Sequence, residues 1–551
     1  MKSIINSNYL LVSFLTLLFV VNLIQGYSTD LLADEAYYWT YSNELSWGYF
    51  DHPPMVAIWI SISKLFFSSS ELSVRFFSSI TLSITFYIVW LLIKHPKKNE
   101  FQWLFVLIAF STSLFNVYGF ITVPDTPLLF FAAIFFWGYQ KYLNEKSLVS
   151  YLVIAITMAG MLYSKYQGIL IIFFVLLSNL KVLKDGKIWL TALLALVLFA
   201  PHLLWQFEND FPSFKYHLFE RKENTVYRFR DTYMHLINMI AIIGFTFPIV
   251  YKALFKNLKN KDLFQRALNF TVAGFVIFFF ISTFKGHAQA QWIVPISIPL
   301  IIIPFNYLIE NPKQIRLFKI LAFISIIAGT FLRFAMVNDG LLPKQFDMHG
   351  NKKWVERIEK KIGDKTPLFL NSYQNTSTYW FYSGKRPYQI NTWNSRKNQY
   401  DLYSYNQNFS LNNPILINIG AQESPKDSIL KKNNIEIYFK DISGEYTKPD
   451  KLQFDLINPI YIEQNSTNSV NIKPPYVPLN LSKIFQPFVG LKSKEDKSYY
   501  DATLQEDRIS FSLPKFTPEC SPIEIQIIGT TNIQVPPIRL STIDKIQQSN
   551  E

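Results

Sequence analysis

About eleven apolar stretches in the first 337 residues leave this chain few ways to fold. A helix that crosses a bilayer needs about 20 mostly apolar residues. Stretches 9–24, 72–93, 101–121, 126–142, 148–163, 168–182, 188–205, 233–255, 267–284, 292–308 and 317–337 approach or meet that length. Half of the 551 residues are hydrophobic and only 17% are charged, a balance that suits a membrane protein better than a soluble enzyme. Hydrocarbon offers the backbone no hydrogen-bond partner, so the expected architecture is a bundle of transmembrane helices. An odd number of crossings puts the two chain ends on opposite sides. Segment 55–67 is too short to span comfortably and carries Lys64, so it is expected to lie along the membrane surface. The first apolar run follows Lys2, and no small-residue cleavage site follows it, so it reads as an uncleaved span.

The net charge of +13 raises nucleic acid as a partner, but its placement argues against one. Lys94, Lys97 and Lys98, then Lys141 and Lys146, Lys181 to Lys187, Lys252 to Lys261, and Lys313 with Arg316 fill short turns on alternate sides of the apolar stretches. That is the pattern of cytoplasmic loops in a plasma-membrane protein. Loops on the other face then hold Asp34, Asp51, Asp125, Lys165 and the 286–291 segment, so every chemically suggestive motif falls on the external side. Loop 207–232 breaks the charge rule, with Lys215, Arg221, Lys222, Arg228 and Arg230 on that face. Its cations are either ordinary solvated charges or partners of a lipid phosphate. One cysteine, Cys520, excludes an intrachain disulfide framework and offers too little thiol for a structural zinc site.

Beyond Asn338 the pattern turns polar. Expected domains are a transmembrane domain over 1–337, a soluble α/β domain over 338–445 and a β-rich module over 446–551. Within the second, 354–362 and 373–382 read as helices, 367–370 as a strand, and 414–419, 425–432 and 435–439 as strand, helix and strand. In the third, the alternating runs 509–513, 523–528 and 538–540 read as strands.

The segment Asp34-Glu35-Ala36-Tyr37-Tyr38-Trp39, with Tyr49-Phe50-Asp51-His52-Pro53-Pro54 after it, places carboxylates at a membrane surface among aromatic rings. Carboxylates there are costly unless they face water, a cation or a substrate. The two motifs together resemble the first external loop of GT-C glycosyltransferases, in particular bacterial members of glycosyltransferase family 39 (protein mannosyltransferase-like) and the lipid A aminoarabinose transferase. The resemblance covers roughly the first 340 residues. It implies transfer of a sugar from a polyprenyl-phosphate carrier to a lipid, glycan or protein acceptor, in one inverting step on the external face.

Such a transfer needs a base for the acceptor hydroxyl, cations for the leaving phosphate and a groove for the lipid. Asp34 aligns with the family's acidic residue and is expected to be the base, with Glu35 as a second acid. The plainer reading is that both only favour the positive end of a short helix. Arg75, Lys165, Arg221 and Arg228 are the candidate ligands of the donor phosphate, although Arg75 and Lys165 also suit snorkelling at helix ends. Tyr38, His52, Asp125, His287 and Gln291 are the candidate sugar or acceptor contacts. Asp51 and Asp125 can equally cap the helices that follow them, and Trp292 suits an aromatic belt. No metal ligand set, Gly-rich phosphate loop or D-x-D pair is present, so the sequence supports no particular cofactor, leaves a divalent cation open and disfavours a nucleotide-sugar donor. Two rivals remain: a flippase of lipid-linked sugars, which needs no base, and a membrane-anchored binding protein.

Overall fold

The structure, a computed structural model, describes residues 9–68, 70–112, 116–218, 227–420, 428–431 and 435–448. Beyond these it describes 460–462, 467–471, 486–492, 497–505, 508–512, 524–530, 532, 534–543 and 546–548. The chain separates into two compact units, Met1–His349 and Gly350–Glu551.

The first unit is helical. Its helices are α1 (Tyr9–Ser28), α2 (Ala33–Tyr41), α3 (Met55–Lys64), α4 (Leu72–Leu92), α5 (Gln102–Ser111), α6 (Asp125–Asn144), α7 (Leu148–Ser164) and α8 (Gly168–Ser178). They continue as α9 (Gly186–Glu208), α10 (Pro212–Leu218), α11 (Phe229–Ile243), α12 (Phe247–Asn257), α13 (Leu263–Ser282), α14 (Pro299–Glu310) and α15 (Ile315–Val337). Among the described residues six helical stretches are long and apolar enough to cross a membrane, or seven if the bent pair Ala290–Ser297 and Pro299–Glu310 forms one span. The expected count of eleven is therefore not established. The stretches at 148–163 and 168–182 form helices of 17 and 11 residues, short of the ~20 a straight crossing needs.

The apolar faces meet in a core in which Trp90, Phe105 and Phe305 pack edge to face. Helix α3 buries Val56, Ala57, Trp59 and Ile60 against its neighbours. At the end of the bundle that carries the Lys-rich turns, the Asp185 carboxylate caps α9 and accepts bonds from Tyr142 and Tyr151 at 3.1 and 2.8 Å. Those bonds and the Lys146 ammonium at 3.0 Å hold its acid down at about 2. The last long helix is tied to the first. The Arg333 guanidinium donates to Asn22 Oδ1 and the Asn116 carbonyl and lies 4.5 Å from the Phe120 ring, while Gln25 donates to the Arg333 carbonyl.

The helical unit ends later than the sequence pattern implies. His349 donates from Nε2 toward the carbonyls of Ala335 and Met336, and the Ala33 N–H donates to Asp347. These bonds fold 338–349 back on α15 and α2, which moves the division from 338 to 350.

In the second unit a five-stranded sheet forms from β1 (Pro367–Leu370), β2 (Tyr388–Ile390), β4 (Ile415–Ile419), β5 (Ser428–Leu430) and β6 (Glu436–Asp441), in the order β2-β1-β4-β6-β5. A short β3 (Ser410–Asn412) pairs instead with β7 (Glu445–Thr447). Helix Asn351–Ile362 covers the sheet with Trp354, Val355 and Ile358. The expected helix at 425–432 is corrected. Residues 428–430 are a strand antiparallel to β6, closed by a bond from the Lys431 N–H to the Ile435 carbonyl, and 425–427 lie outside the described residues. The later runs form strands Arg508–Ser512, Glu524–Thr530 and Ile538–Ile543 of a six-stranded antiparallel sheet.

Candidate functional site

Helix α2 is the hub of the site. Each helical residue turns about 100° from the last, so the adjacent Asp34 and Glu35 face different surroundings. Asp34 is exposed on the first turn, whereas Glu35 is fully buried. The Glu35 carboxylate accepts from Arg75 at Nε (2.8 Å) and Nη2 (2.5 Å), from the Leu32 N–H and from the Thr122 N–H. The remaining Arg75 donors go to the carbonyls of Gly26, Thr29 and Asp30 and to the Thr29 hydroxyl. This buried pair stitches α1, α2, α4 and the 122 strand of chain together.

Two expectations change as a result. Arg75 does not present a fork to a donor phosphate, because its donors are used inside the protein and its side chain has no exposure. Glu35 is likewise a positioning residue for α2 rather than a second acid open to substrate.

The far end of α2 is held by a second polar cluster. Tyr41 donates to Asp51 Oδ1 at 2.6 Å and stacks on Tyr49 at 4.1 Å. Burial first, and the Asp51 charge second, push the Tyr41 phenol far above its usual range, so it remains a donor to that carboxylate. Asp51 therefore does not cap α3, whose N-cap is Pro54. The ring of His52 lies 5.4 Å from that of Tyr38 and 6.1 Å from that of His217. His217, on the short α10, donates to the Asp51 carbonyl at 2.8 Å.

Behind it, His202 Nδ1 donates to the Trp47 carbonyl, which leaves Nε2 to accept from Tyr166 at 2.8 Å. Gln206 bridges Tyr166 and Ser213, and Ser213 donates to the Tyr49 carbonyl. Loop 43–54 is thereby fastened to α9 and α10. A Cβ on Gly48 would stand 2.2 Å from the Trp205 ring, so only glycine allows this approach.

Asp125 opens α6 three residues after Thr122 and accepts both contacts of Lys165 Nζ, at 2.8 and 2.9 Å. Both side chains are largely buried. The pair joins two residues expected to have separate roles, and Asp125 makes no side-chain cap bond to α6.

Other expected residues lie apart. His287 is half-exposed and sits 3.5 Å from Asp231, and Gln291 donates to Gln289. Neither has a described bond to the groups around α2. Arg228 is exposed just before α11, and Arg221 lies outside the described residues. His217, His202, Tyr166 and Tyr41 are the members that sequence reasoning missed. The one signal for His217 was its place in loop 207–232, shortly before Arg221. Among the described residues no group of three or more His, Cys, Asp or Glu side chains converges to hold a metal ion.

Residues 51–205 match the family described as dolichyl-phosphate-mannose-protein mannosyltransferase. A curated relative, the lipopolysaccharide core galacturonosyltransferase RgtB of Rhizobium johnstonii, is 28% identical over 223 residues. That alignment takes in 37% of this chain and 43% of RgtB, less than half of the relative's length. In shape the chain is similar to crystal structures of ArnT from Cupriavidus metallidurans, one in the apo state and one bound to undecaprenyl phosphate. The TM-scores are 0.58 and 0.55 at 13% identity, each covering 78% of this chain and 97% and 98% of ArnT. With the apolar helices and the α2 loop at one end of the bundle, these likenesses show that the chain shares the fold of ArnT and that a stretch of it is similar to the mannosyltransferase family.

Proposed function

We propose that the protein is a glycosyltransferase that moves a sugar from a polyprenyl-phosphate carrier to a lipid, glycan or protein acceptor on the external membrane face. The observation that carries this reading is the exposed Asp34 carboxylate. It stands on a helix fixed at one end by the Glu35–Arg75 pair and at the other by Tyr41 and Asp51. A base that takes part in transfer must be open to its substrate and rigidly aimed, and Asp34 has both properties. The acceptor oxygen attacks the anomeric carbon as its proton passes to Asp34. The carbon–oxygen bond to the phosphate breaks, the phosphate leaves with the electron pair, and the configuration inverts.

The leaving phosphate needs a cation. Lys165 takes this part by turning from Asp125, and Arg228 is the second candidate. Tyr38, His52 and Asp125 line the sugar and acceptor region. The galacturonosyltransferase name of RgtB supports sugar transfer, and the undecaprenyl phosphate in one ArnT crystal supports a polyprenyl carrier.

The test follows radiolabelled sugar from a polyprenyl carrier to envelope acceptors in vesicles containing the purified protein. Transfer that depends on the protein is expected. Movement of the carrier across the vesicle membrane without transfer would make it a flippase instead. Read as cytoplasmic loops, the Lys-rich turns support a topology with Glu551 and the active loops outside the cytoplasm. A reporter that works only outside, fused after Glu551, is expected to be active. A silent fusion beside an active cytoplasmic reporter would reverse the orientation.

A further inference from the structure

The end of the bundle opposite α2 holds two cavities that the transfer reaction does not use. One, of about 630 Å³, is polar and is lined by Lys94, Lys256, Gln140, Asn257 and Asn306 among others. The second, of about 880 Å³, is an apolar groove beside α8 and α13, with Phe173, Leu177, Ala273 and Ile277 on its walls. Gly274 lets the helices close its floor, since a Cβ there would stand 2.4 Å from the Phe174 ring. Lys259 and Asn260 line both cavities, so the polar one opens where the groove begins.

Lys259, Lys261 and Arg266 stand at that junction, all exposed, and among the described residues none pairs with a carboxylate. The nearby Asp262 is used as the cap of α13, bonded to the Gln265 N–H, and Glu310 lies elsewhere on the polar wall. From Arg266 to Ile281 the groove follows α13 for ~22 Å at 1.5 Å per residue. That exceeds the ~15 Å that one leaflet's chain must cover. A three-cation rim at the mouth of an apolar channel fits an anionic head on a hydrocarbon chain.

The polar cavity says which head. A bare phosphate leaves most of ~630 Å³ empty and brings only acceptors to it. The side-chain amides of Gln140, Asn257 and Asn306 on its wall can both donate and accept. A phosphodiester carrying a hydroxylated group meets both demands.

We infer that Lys259, Lys261 and Arg266 seat the phosphate of an anionic glycerophospholipid whose acyl chain lies in the α8–α13 groove and whose hydroxylated head enters the adjoining cavity. This site is separate from the proposed transfer chemistry and needs no sugar donor.

Native mass spectrometry of the full chain in detergent, with phosphatidylglycerol and phosphatidylcholine of equal chain length, tests it. The parent is expected to retain phosphatidylglycerol in at least about tenfold preference, and Lys259→Gln/Lys261→Gln/Arg266→Gln to lose that preference. Ala273→Trp, a lipid-facing change that fills the groove, is expected to weaken retention with the three cations intact. The proposal fails if the parent shows no preference or the triple variant keeps it. It also fails if soluble glycerol phosphate competes as well as the lipid, which would leave the groove without a part. A polyprenyl phosphate that displaces phosphatidylglycerol from the parent but not from the triple variant would overturn the occupant and identify the carrier there.

Discussion

Asp34→Asn is expected to lower sugar transfer by at least about 100-fold while leaving the protein folded. A positioned base contributes about 100- to 10,000-fold, and the amide keeps the size of the carboxylate without its proton affinity. The side chain is exposed, so its replacement falls among surface changes that move stability by about 0.5 kcal/mol or less. Thermal unfolding in detergent and donor binding should therefore match the parent, and the loss should appear in the rate of label transfer. Near-normal transfer by this variant would remove Asp34 from the chemistry and return the flippase as the better reading.

Arg75→Met should have the largest effect on stability. It strands the Glu35 carboxylate in a site with no solvent and frees three backbone carbonyls of their donors. Breaking a buried ion pair from one side typically costs about 3–5 kcal/mol. The melting temperature should fall sharply, and transfer should fall only as far as folded protein is lost. Removing both charges in Glu35→Leu/Arg75→Met should recover part of the loss, because two apolar side chains tolerate that site better than one uncompensated charge. Recovery stays incomplete, since the carbonyls of Gly26, Thr29 and Asp30 still lose the Arg75 donors. A single variant that melts with the parent would mean the pair is not the fastener described.

The contrast between Asp34 and Glu35 explains what was legible in the sequence. Apolar runs report helices because length and composition act locally, and strands such as 415–419, 436–441 and 508–512 were visible for the same reason, whereas 428–430 was expected as a helix. The DEAYYW and YFDHPP segments pointed to the candidate site, since carboxylates beside membrane spans demand an explanation. Partnership was hidden. Glu35 meets Arg75 across 40 positions and Asp125 meets Lys165 across another 40, distances at which spacing carries no geometric information. Arg75 held a clue, because a guanidinium near the start of an apolar helix needs a partner. It was assigned to a ligand when a carboxylate of the chain was already available. The cluster of Tyr41, Tyr49, His202 and His217 had no sequence signature, because it depends on how α9 and α10 return to loop 43–54.

The bond from Arg333 to Asn22 and Asn116 bears on how the protein is made. The contacts span 311 and 217 positions, so α1 emerges from the ribosome and enters the membrane long before its partner exists. Until α15 arrives, the Asn22 amide oxygen lacks the guanidinium that it accepts from in the folded protein. Closure of the helical ring is then a late step of biogenesis, completed when nearly two-thirds of the chain has been synthesised. A membrane insertase or chaperone that shields polar side chains has its longest task at α1, the first helix in, whose Asn22 waits for a partner on the last.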